Sequence, residues 1–172
     1  EVLSKKIHYK GIDVSEKLLE KARELYPVRK NNFEIFDGMT LPFQDSSFSH
    51  IFILASFHHM PKPLQQKFIK ECRRVLGSNG KIVITVWHLW RKPFLTYFLK
   101  SLPKKAISRE LDLFDIYVPW KNKEGEILGK RYFHMFRKNE MKKLLVHAEF
   151  STIDISVIAF KKQKNYVIKA NV

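Results

Sequence analysis

The chain has 172 residues, of which 45% are hydrophobic and 28% charged, and this composition excludes a disordered protein and allows one sizeable core. No stretch approaches the ~18 consecutive apolar residues of a membrane helix, so we expect no stable membrane insertion. A single cysteine, Cys72, excludes an internal disulfide framework and favours a reducing, cytoplasmic location. The formal net charge of +15 indicates either a lysine-rich solvated surface or an attraction for a polyanion such as nucleic acid.

The first half of the chain alternates strands with helices. A strand is predicted over residues 7–13, a helix over 15–26 with Ser15 as its N-cap, and a short strand over 33–37. The apolar run 48–57 is typical of a strand buried on both faces. A helix over 64–76, a turn at 78–80 and a second buried strand over 81–87 follow. The first helix is expected to place its apolar residues on one inner face, namely Leu18, Leu19, Ala22 and Leu25.

The second half is less regular. Residues 88–130 contain Pro93, Pro103 and Pro119 and are predicted to form helical and loop pieces. A helix at about 137–147 and two strands near 151–160 and 165–171 follow, with a polar turn joining the strands into a hairpin. This order predicts an open, mostly parallel sheet covered by helices on both faces. We interpret residues 1–172 as one domain in which residues 88–136 are an inserted segment on the substrate side.

The inserted segment and the helix after it are basic and aromatic. Residues 91–143 hold fourteen Lys or Arg against six Asp or Glu, interleaved with Phe, Tyr and Trp. This combination suits single-stranded RNA, because cations neutralise phosphates and aromatic rings stack on bases. The alternative is a capping subdomain whose aromatic residues form its own core.

The start of the chain carries an informative motif. Gly11-Ile12-Asp13-Val14-Ser15 reads as a strand that ends in an acid and is followed at once by a helix, which is how nucleotide-binding α/β units present a ribose-binding carboxylate. In such units a glycine-rich turn comes about 20 residues earlier, but only ten residues precede Gly11 and none of them is glycine. We therefore expect this chain to be the larger, C-terminal part of an enzyme, lacking the first strand and helix of its sheet.

Two carboxylates are candidates for binding a nucleoside. Asp13, at the end of its strand, can accept hydrogen bonds from both ribose hydroxyls, and Asp37, at the end of the next strand, can accept from an adenine amino group. Gly38 and Met39 would present backbone and an apolar face to the ring, and Val14 belongs to the same predicted site. The alternatives are an ordinary helix-flanking acid at Asp13 and an exposed turn at 37–39.

Several motifs between residues 7 and 87 together resemble the class I S-adenosylmethionine-dependent methyltransferases. They are Gly11-Ile12-Asp13-Val14-Ser15, Asp37-Gly38 with Leu41-Pro42-Phe43, the run from Phe48 to Phe57-His58-His59, and Arg74-Val75-Leu76 with Asn79-Gly80-Lys81. The resemblance implies an α/β, Rossmann-like sheet with an antiparallel last strand, and S-adenosylmethionine as the cofactor. It places Ala55 and Ser56 under the sulfonium and His58 at the methyl-transfer site, whereas His59 is interpreted as a capping or packing residue.

A narrower similarity lies downstream. Asp115-Ile116-Tyr117-Val118-Pro119-Trp120, followed by Arg131-Tyr132-Phe133-His134-Met135-Phe136, is similar to the tRNA wobble-uridine carboxymethyl methyltransferases. Those enzymes esterify the carboxylate of 5-carboxymethyluridine in the anticodon loop, so the resemblance implies tRNA as the partner. Some of their relatives use a small zinc-binding activator subunit and others do without it. The family's glycine-rich first loop has no counterpart in this sequence.

A carboxylate acceptor determines what the protein must supply. A carboxyl group of pKa ~4 is ionised at neutral pH, so no general base is needed and catalysis reduces to alignment and desolvation. We assign the grip on this carboxylate to Arg131 and His134, with a hydroxyl from Tyr132, and stacking on the flipped-out uracil to Trp120. Asp115 is assigned to the same site. The alternatives are core packing for Trp120 and Tyr132 and an ion pair between Arg131 and Asp115.

Other interpretations stay open at this point. No metal is predicted, because the neighbouring side chains of His58 and His59 point apart and lack further ligands. The acceptor could instead be a small lipid-like or quinone-like molecule, with residues 94–99 as a lipophilic lid, or the chain could be a catalytically inactive RNA-binding relative. Because the missing strand is central in the family's sheet, we expect two strands on one side, four on the other, and unpaired edges that destabilise the chain.

Overall fold

The computed structural model describes residues 7–107, 112–160 and 163–172, and the backbone groups into two compact units. Unit 1 comprises residues 1–42 and unit 2 comprises residues 43–172. The interpretation as one domain stays a prediction, and each unit is described by itself.

Unit 1 is a strand–helix–strand element. Strand β1 (Gly11–Asp13) pairs in parallel with β2 (Phe33–Ile35), and helix α1 (Glu16–Leu25) connects them with a 3₁₀ turn over Pro27–Asn32. Ser15 caps α1 as predicted, since its hydroxyl accepts a hydrogen bond from the amide of Leu18 at 3.4 Å. Gly11 is required by close packing, because a Cβ there would lie 2.6 Å from the Tyr9 hydroxyl and 2.9 Å from the Phe33 ring.

The expected inner face of α1 is only partly buried. Leu19 is 3% exposed, whereas Leu18 and Leu25 are 60% and 62% exposed. The predicted face was therefore too wide, since only one of its leucines is covered by the residues that the structure describes.

The main sheet belongs to unit 2. Strands β3 (Phe48–Leu54), β4 (Leu76–Trp87), β7 (Ser151–Phe160) and β8 (Gln163–Asn171) lie in the order β3-β4-β8-β7. β3 and β4 are parallel, and β8 is antiparallel to both β4 and β7. The predicted C-terminal hairpin is confirmed, although residues 161 and 162 of its turn lie outside the described part of the chain. The division into a strand pair and a set of four also agrees with the prediction.

Two helices pack their apolar sides against this sheet. Helix α2 (Lys62–Val75) buries Phe68, Ile69, Cys72 and Val75, and helix α4 (Lys138–His147) buries Met141 and Leu145. The sheet side of the core includes Ile82, Ile84 and Val86 of β4 and Ile168 and Ala170 of β8, all at most 3% exposed. This is the α/β architecture that the alternating pattern predicts.

The prediction that residues 48–57 are buried on both faces was wrong. The strand ends at Leu54, and Ile53 is buried while Phe52 and Leu54 are 60% and 64% exposed. Side chains alternate along a strand, so one face of β3 is covered and the other is open among the described residues.

The inserted segment contains a β-hairpin that the sequence interpretation did not include. Helix α3 (Phe94–Ile107) is followed by β5 (Asp115–Lys121) and β6 (Ile127–His134), which pair antiparallel as a separate two-stranded sheet. Leu89, Ile116, Phe133 and Met135 form a buried cluster beneath it, and α3 packs on this cluster through Phe94, Leu95, Tyr97 and Phe98. None of the helices described is long and apolar enough to cross a membrane.

Candidate functional site

The two predicted nucleoside-binding carboxylates of unit 1 lie at one edge of its sheet. Asp13 is the last residue of β1 and pairs with Ile35, two residues before Asp37. Oδ1 of Asp13 accepts a hydrogen bond from the Ser15 amide at 2.9 Å, and Oδ1 of Asp37 accepts from the amides of Met39 and Thr40 at 2.7 and 2.9 Å. These backbone bonds hold the pKa of Asp37 below its ordinary value. In the described residues Oδ2 of Asp13 makes no hydrogen bond and remains available to a ligand, whereas the Asp37 carboxylate also accepts from its own backbone amide.

An open apolar surface adjoins these carboxylates. Gly38 has a φ of +86°, and a Cβ added there would lie 3.6 Å from Cγ1 of Val14. Val14 and Met39 are 64% and 47% exposed. The cofactor that the sequence resemblance implies, S-adenosylmethionine, contains an adenosine, and these residues fit its nucleoside part because carboxylates and an apolar surface lie together.

The turn after β3 contains the next predicted residues, Ala55 and Ser56, and holds Ala55 in a strained conformation. Ala55 has a φ of +51°, and its amide donates to the carbonyl and hydroxyl oxygens of Thr85 at 3.0 and 2.9 Å. Ala55 and Ser56 are both exposed at the carboxyl end of β3. A left-handed alanine costs roughly 1–2 kcal/mol, and such strain clusters at ligand sites.

His58 is a neutral, buried ring. It is 0% exposed, it stacks on Phe133 with 5.6 Å between ring centroids, and neither ring nitrogen has a hydrogen-bond partner among the described residues. Burial, helped by the neighbouring His59, lowers the pKa of His58 to about 3. His59 is a packing residue that donates from Nδ1 to the carbonyl of Tyr132 at 2.9 Å. As placed, His58 contacts aromatic rings and offers no surface to a substrate.

Four side chains beneath the β5–β6 hairpin form a buried network, which we call the His134 network: Asp115, Tyr132, His134 and Glu140. Nδ1 of His134 donates to Oδ1 of Asp115 at 2.7 Å and Nε2 donates to Glu140 at 2.9 Å. The Tyr132 hydroxyl donates to the same Asp115 oxygen at 2.7 Å. Both nitrogens of His134 are therefore occupied by carboxylates.

The network carries mutually stabilising charges. Burial alone would lower the pKa of His134, but the bonds to Asp115 and Glu140 outweigh it and raise the pKa to about 9. Burial would likewise raise the pKa values of Asp115 and Glu140, and the bonds from His134 hold both below their ordinary values. Burial and the bond to Asp115 raise the pKa of Tyr132. At neutral pH the network thus contains an imidazolium between two carboxylates.

Asp112 extends the charged cluster to α2. Its carboxylate accepts from Lys62 at 2.6 Å, and its amide donates to Oδ2 of Asp115 at 2.9 Å. Ligand atoms of Asp112, Asp115 and His134 lie within 4.8 Å of one another. A metal would have to displace both Lys62 and the proton of His134, so the arrangement suits an ion-pair cluster better than a metal centre.

The outer end of the hairpin presents an aromatic ring and a cation together. Trp120 is 48% exposed, and the guanidinium carbon of Arg131 lies 4.6 Å from the centre of its ring. Arg131 pairs with Val118 and Trp120 with Gly129, so both side chains project from one face of the hairpin. The alternative pairing of Arg131 with Asp115 is not found, because Asp115 is occupied by Tyr132 and His134.

The sequence interpretation missed two participants. Glu140 completes the His134 network, and its one signal is its place three residues after Arg137, where an acid closes a helix capping box. Thr85 holds the Ala55 turn from the neighbouring strand and had no local signal.

Comparisons with known proteins bear on the fold and on the kind of relative that this sequence resembles. Residues 1–84 match the methyltransferase domain family. The chain is similar to the tRNA (carboxymethyluridine(34)-5-O)-methyltransferase of Schizosaccharomyces pombe, with 27% identity over 163 residues that cover 84% of this chain and 65% of that protein. It is also similar to the demethylmenaquinone methyltransferase of Staphylococcus haemolyticus, with 30% identity over 147 residues that cover 84% of this chain and 59% of that protein. The chain thus spans less than two thirds of either relative.

Solved structures carry the same fold. A crystal structure of an S-adenosylmethionine-dependent methyltransferase from Methanosarcina mazei superposes with a TM-score of 0.73 and 20% identity, over 94% of this chain and 80% of that one. The match over residues 1–84 and this superposition show that the chain has the fold of the S-adenosylmethionine-dependent methyltransferases.

Proposed function

We propose that the protein transfers a methyl group to the carboxylate of a 5-carboxymethyl substituent on the wobble uridine of tRNA, in the cytoplasm. The observation that carries the proposal is the exposed Trp120–Arg131 pair on the hairpin. A ring face suits an unstacked base and a guanidinium fork suits a carboxylate. The similarity to the fission yeast enzyme supports the choice of RNA, because it covers 84% of the chain and so must continue well past residue 84.

S-adenosylmethionine, when bound, supplies an electrophilic methyl group on a sulfonium. Asp13 would accept from the ribose hydroxyls through its free Oδ2 and Asp37 from the adenine amino group, while Gly38 and Met39 would line the adenine. For Ala55 and Ser56, which belong to unit 2, a place beside the methionine part stays a prediction of the sequence resemblance. The acceptor's carboxylate oxygen forms the new C–O bond as the S–CH₃ bond breaks, and no proton is transferred.

The states of the two predicted site histidines, His58 and His134, agree with a reaction in which no proton is transferred. His58 is uncharged, buried and without polar partners, and His134 is protonated between two carboxylates. Neither is positioned to accept a proton from a substrate, and an ionised carboxylate requires no such acceptor. We therefore revise the expected roles: Arg131 holds the substrate carboxylate, whereas His134, Tyr132 and Asp115 position the strands that carry Arg131 and Trp120.

A second candidate acceptor is a small quinone-like molecule. It is favoured by the similarity to the staphylococcal demethylmenaquinone methyltransferase and by the apolar helix α3, where Leu99 is 62% exposed. Such an acceptor carries no carboxylate, so the proposed role of the Arg131 guanidinium beside Trp120 would not apply to it.

The test is methylation of bulk tRNA with tritiated S-adenosylmethionine, with part of the product treated with alkali. Alkali-labile label supports a methyl ester on RNA. Alkali-stable label would reject the carboxylate, and label found only in a lipid extract would favour the quinone-like acceptor.

Variants of the hairpin sharpen this test. Trp120→Ala should raise the KM for tRNA roughly 5- to 150-fold, the range that loss of one stacked base implies. Arg131→Gln should lower kcat as well, because it removes the grip on the reacting group. Lys130→Gln is the matched control for Arg131, since it removes one positive charge from the adjacent residue on the opposite face. Equal losses in Arg131→Gln and Lys130→Gln would reduce the role of Arg131 to general charge.

A further inference from the structure

A second site lies at the junction of the main sheet and the inserted segment. A cavity of about 70 Å³ opens between the end of β4 with residues 88–94 on one side and residues 163–165 of β8 on the other. One water molecule needs roughly 10–15 Å³ measured in this way, so the cavity has room for several. A hydrogen bond of 2.9 Å from the His88 amide to the Lys164 carbonyl fixes its two sides relative to each other.

The lining residues carry polar atoms without partners. Among the described residues, Nδ1 of His88, Nε of Arg91 and Oδ1 of Asn165 are buried and make no hydrogen bond. Each such buried group costs roughly 1–3 kcal/mol when left unpaired. The described residues hold eight such atoms in all, and three of them belong to residues that line this one cavity, which favours a polar group bound there.

The charge of the lining is positive. Arg91 and Lys164 line the cavity and no acidic residue does. No ion pair joins either cation to a carboxylate of the described chain, and the guanidinium of Arg91 instead lies 5.8 Å from the centre of the Phe94 ring. The missing partner is therefore an anion.

We propose that this cavity binds a phosphate group. Arg91 and His88 donate from one side and Lys164 from the other, and Asn165 donates its amide NH₂ after a half-turn of the side chain, which leaves its shape unchanged. Donors that converge from two segments suit the several oxygens of a tetrahedral oxyanion better than the two coplanar oxygens of a carboxylate.

The location suggests where the phosphate comes from. The Ala55 turn is bonded to Thr85, and the cavity begins at Trp87, so both lie at the carboxyl edge of the β3–β4 pair. An RNA whose base reacts near Ala55 would carry its backbone phosphates along this edge. Assigning the phosphate to RNA rests on the proposed function, whereas a site for a free phosphorylated ligand would not.

Inorganic phosphate tests the site without any methyl transfer. With 50 mM phosphate instead of chloride at equal ionic strength, the melting temperature should rise by about 2–4 °C, as expected for a dissociation constant of about 10 mM. Arg91→Gln and Lys164→Gln should abolish the rise. Lys169→Gln, the same change further along β8 and outside the cavity lining, should retain it. Lys164 is exposed, so we expect Lys164→Gln to fold normally. It therefore tests the site even if Arg91→Gln folds poorly.

Binding of tRNA as a function of salt distinguishes the two sources. If the phosphate belongs to RNA, each cavity variant should reduce the slope of log K against log salt by about 0.7, the value for one lost contact to a single strand. Phosphate stabilisation with unchanged slopes would assign the site to a small phosphorylated ligand. The proposal would be overturned if Arg91→Gln and Lys164→Gln showed the same phosphate-induced rise in melting temperature and the same salt slopes as Lys169→Gln. If the methylation assay leaves tRNA without label while phosphate still raises the melting temperature, the proposed function is rejected and the phosphate site is not.

Discussion

The His134 network makes a quantitative prediction about stability. His134→Leu fills the buried space of the imidazole with an apolar side chain. It leaves Asp115, which is 4% exposed, and Glu140 without the cation between them. Removing one member of a buried ion pair costs about 3–5 kcal/mol, because the remaining charge is desolvated and unpaired. We expect the free energy of unfolding at pH 6 to fall by that amount.

The pH dependence separates charge from packing. The pKa of His134 is about 9 in the folded protein against an ordinary 6.5, and each pKa unit corresponds to about 1.4 kcal/mol. A raised pKa contributes its stability fully below the unfolded value, so about 3 kcal/mol is present at pH 6 and is lost as the pH rises through 9. The depressed pKa values of Asp115 and Glu140 act oppositely, with stability that is present at neutral pH and lost as the pH falls through them.

Urea unfolding followed by circular dichroism at pH 6 and pH 10 measures both effects. The difference between the parent protein and His134→Leu should shrink by about 3 kcal/mol at the higher pH, since the parent's imidazole is then neutral too. His50→Leu, on the exposed part of β3, is the control and should show no such change. If the free energies of unfolding of the parent protein and His134→Leu differ by the same amount at both pH values, His134 is not protonated in the folded state.

Three further predictions address the other parts of the candidate site. Ala55→Val should destabilise the protein by about 1–2 kcal/mol in urea unfolding because a β-branched residue resists a positive φ, whereas Ala55→Gly should be neutral or stabilising; equal losses would mean that the turn relaxes. Asp13→Asn should weaken S-adenosylhomocysteine binding about tenfold in equilibrium dialysis by removing a charge-assisted bond to the ribose, and the exposed Glu20→Gln on α1 should not. A chelator should leave the melting temperature unchanged and zinc should not raise it, because Lys62 and the proton of His134 already neutralise Asp112 and Asp115; a zinc-dependent rise that Asp112→Asn removes would instead establish a metal centre.

Elements governed by local periodicity were predictable from the sequence. Helices α1, α2 and α4 and the C-terminal hairpin follow from apolar spacing, and Ser15 follows from capping chemistry. Their packing partners are distant in sequence, and the burial of β3 could not be read from an apolar run. Phe52 and Leu54 are as apolar as Ile53, and only the tertiary arrangement determines which face is covered.

The β5–β6 hairpin was missed for a physical reason that can be stated. Pro119 argued against a strand, but it lies in a two-stranded sheet opposite Lys130. Among the described residues one edge of β5 has no partner strand, and a missing amide is tolerated there. Two signals were present in the sequence. Asn122 to Gly125 is typical of a turn, and Ile116 and Val118 alternate with more polar neighbours.

The position of His134 in the hairpin is the reason for proposing a positioning role in place of the predicted contact with the substrate. One face of the hairpin runs from the buried Ile116 and Phe133 outward to Trp120 and Arg131. The other face begins with the paired Asp115 and His134. The start of β5 and the end of β6 are therefore held by an apolar cluster on one face and by an ion pair on the other. A substrate carboxylate at His134 would have to displace Asp115 or Glu140, and three carboxylates would then crowd one imidazolium. At Arg131 the same carboxylate meets a cation that no acid of the described chain neutralises. The buried charges of Asp115 and His134 are thus paired with each other, while the cation of Arg131 is exposed, and this is why the proposed function assigns recognition of the acceptor to Arg131.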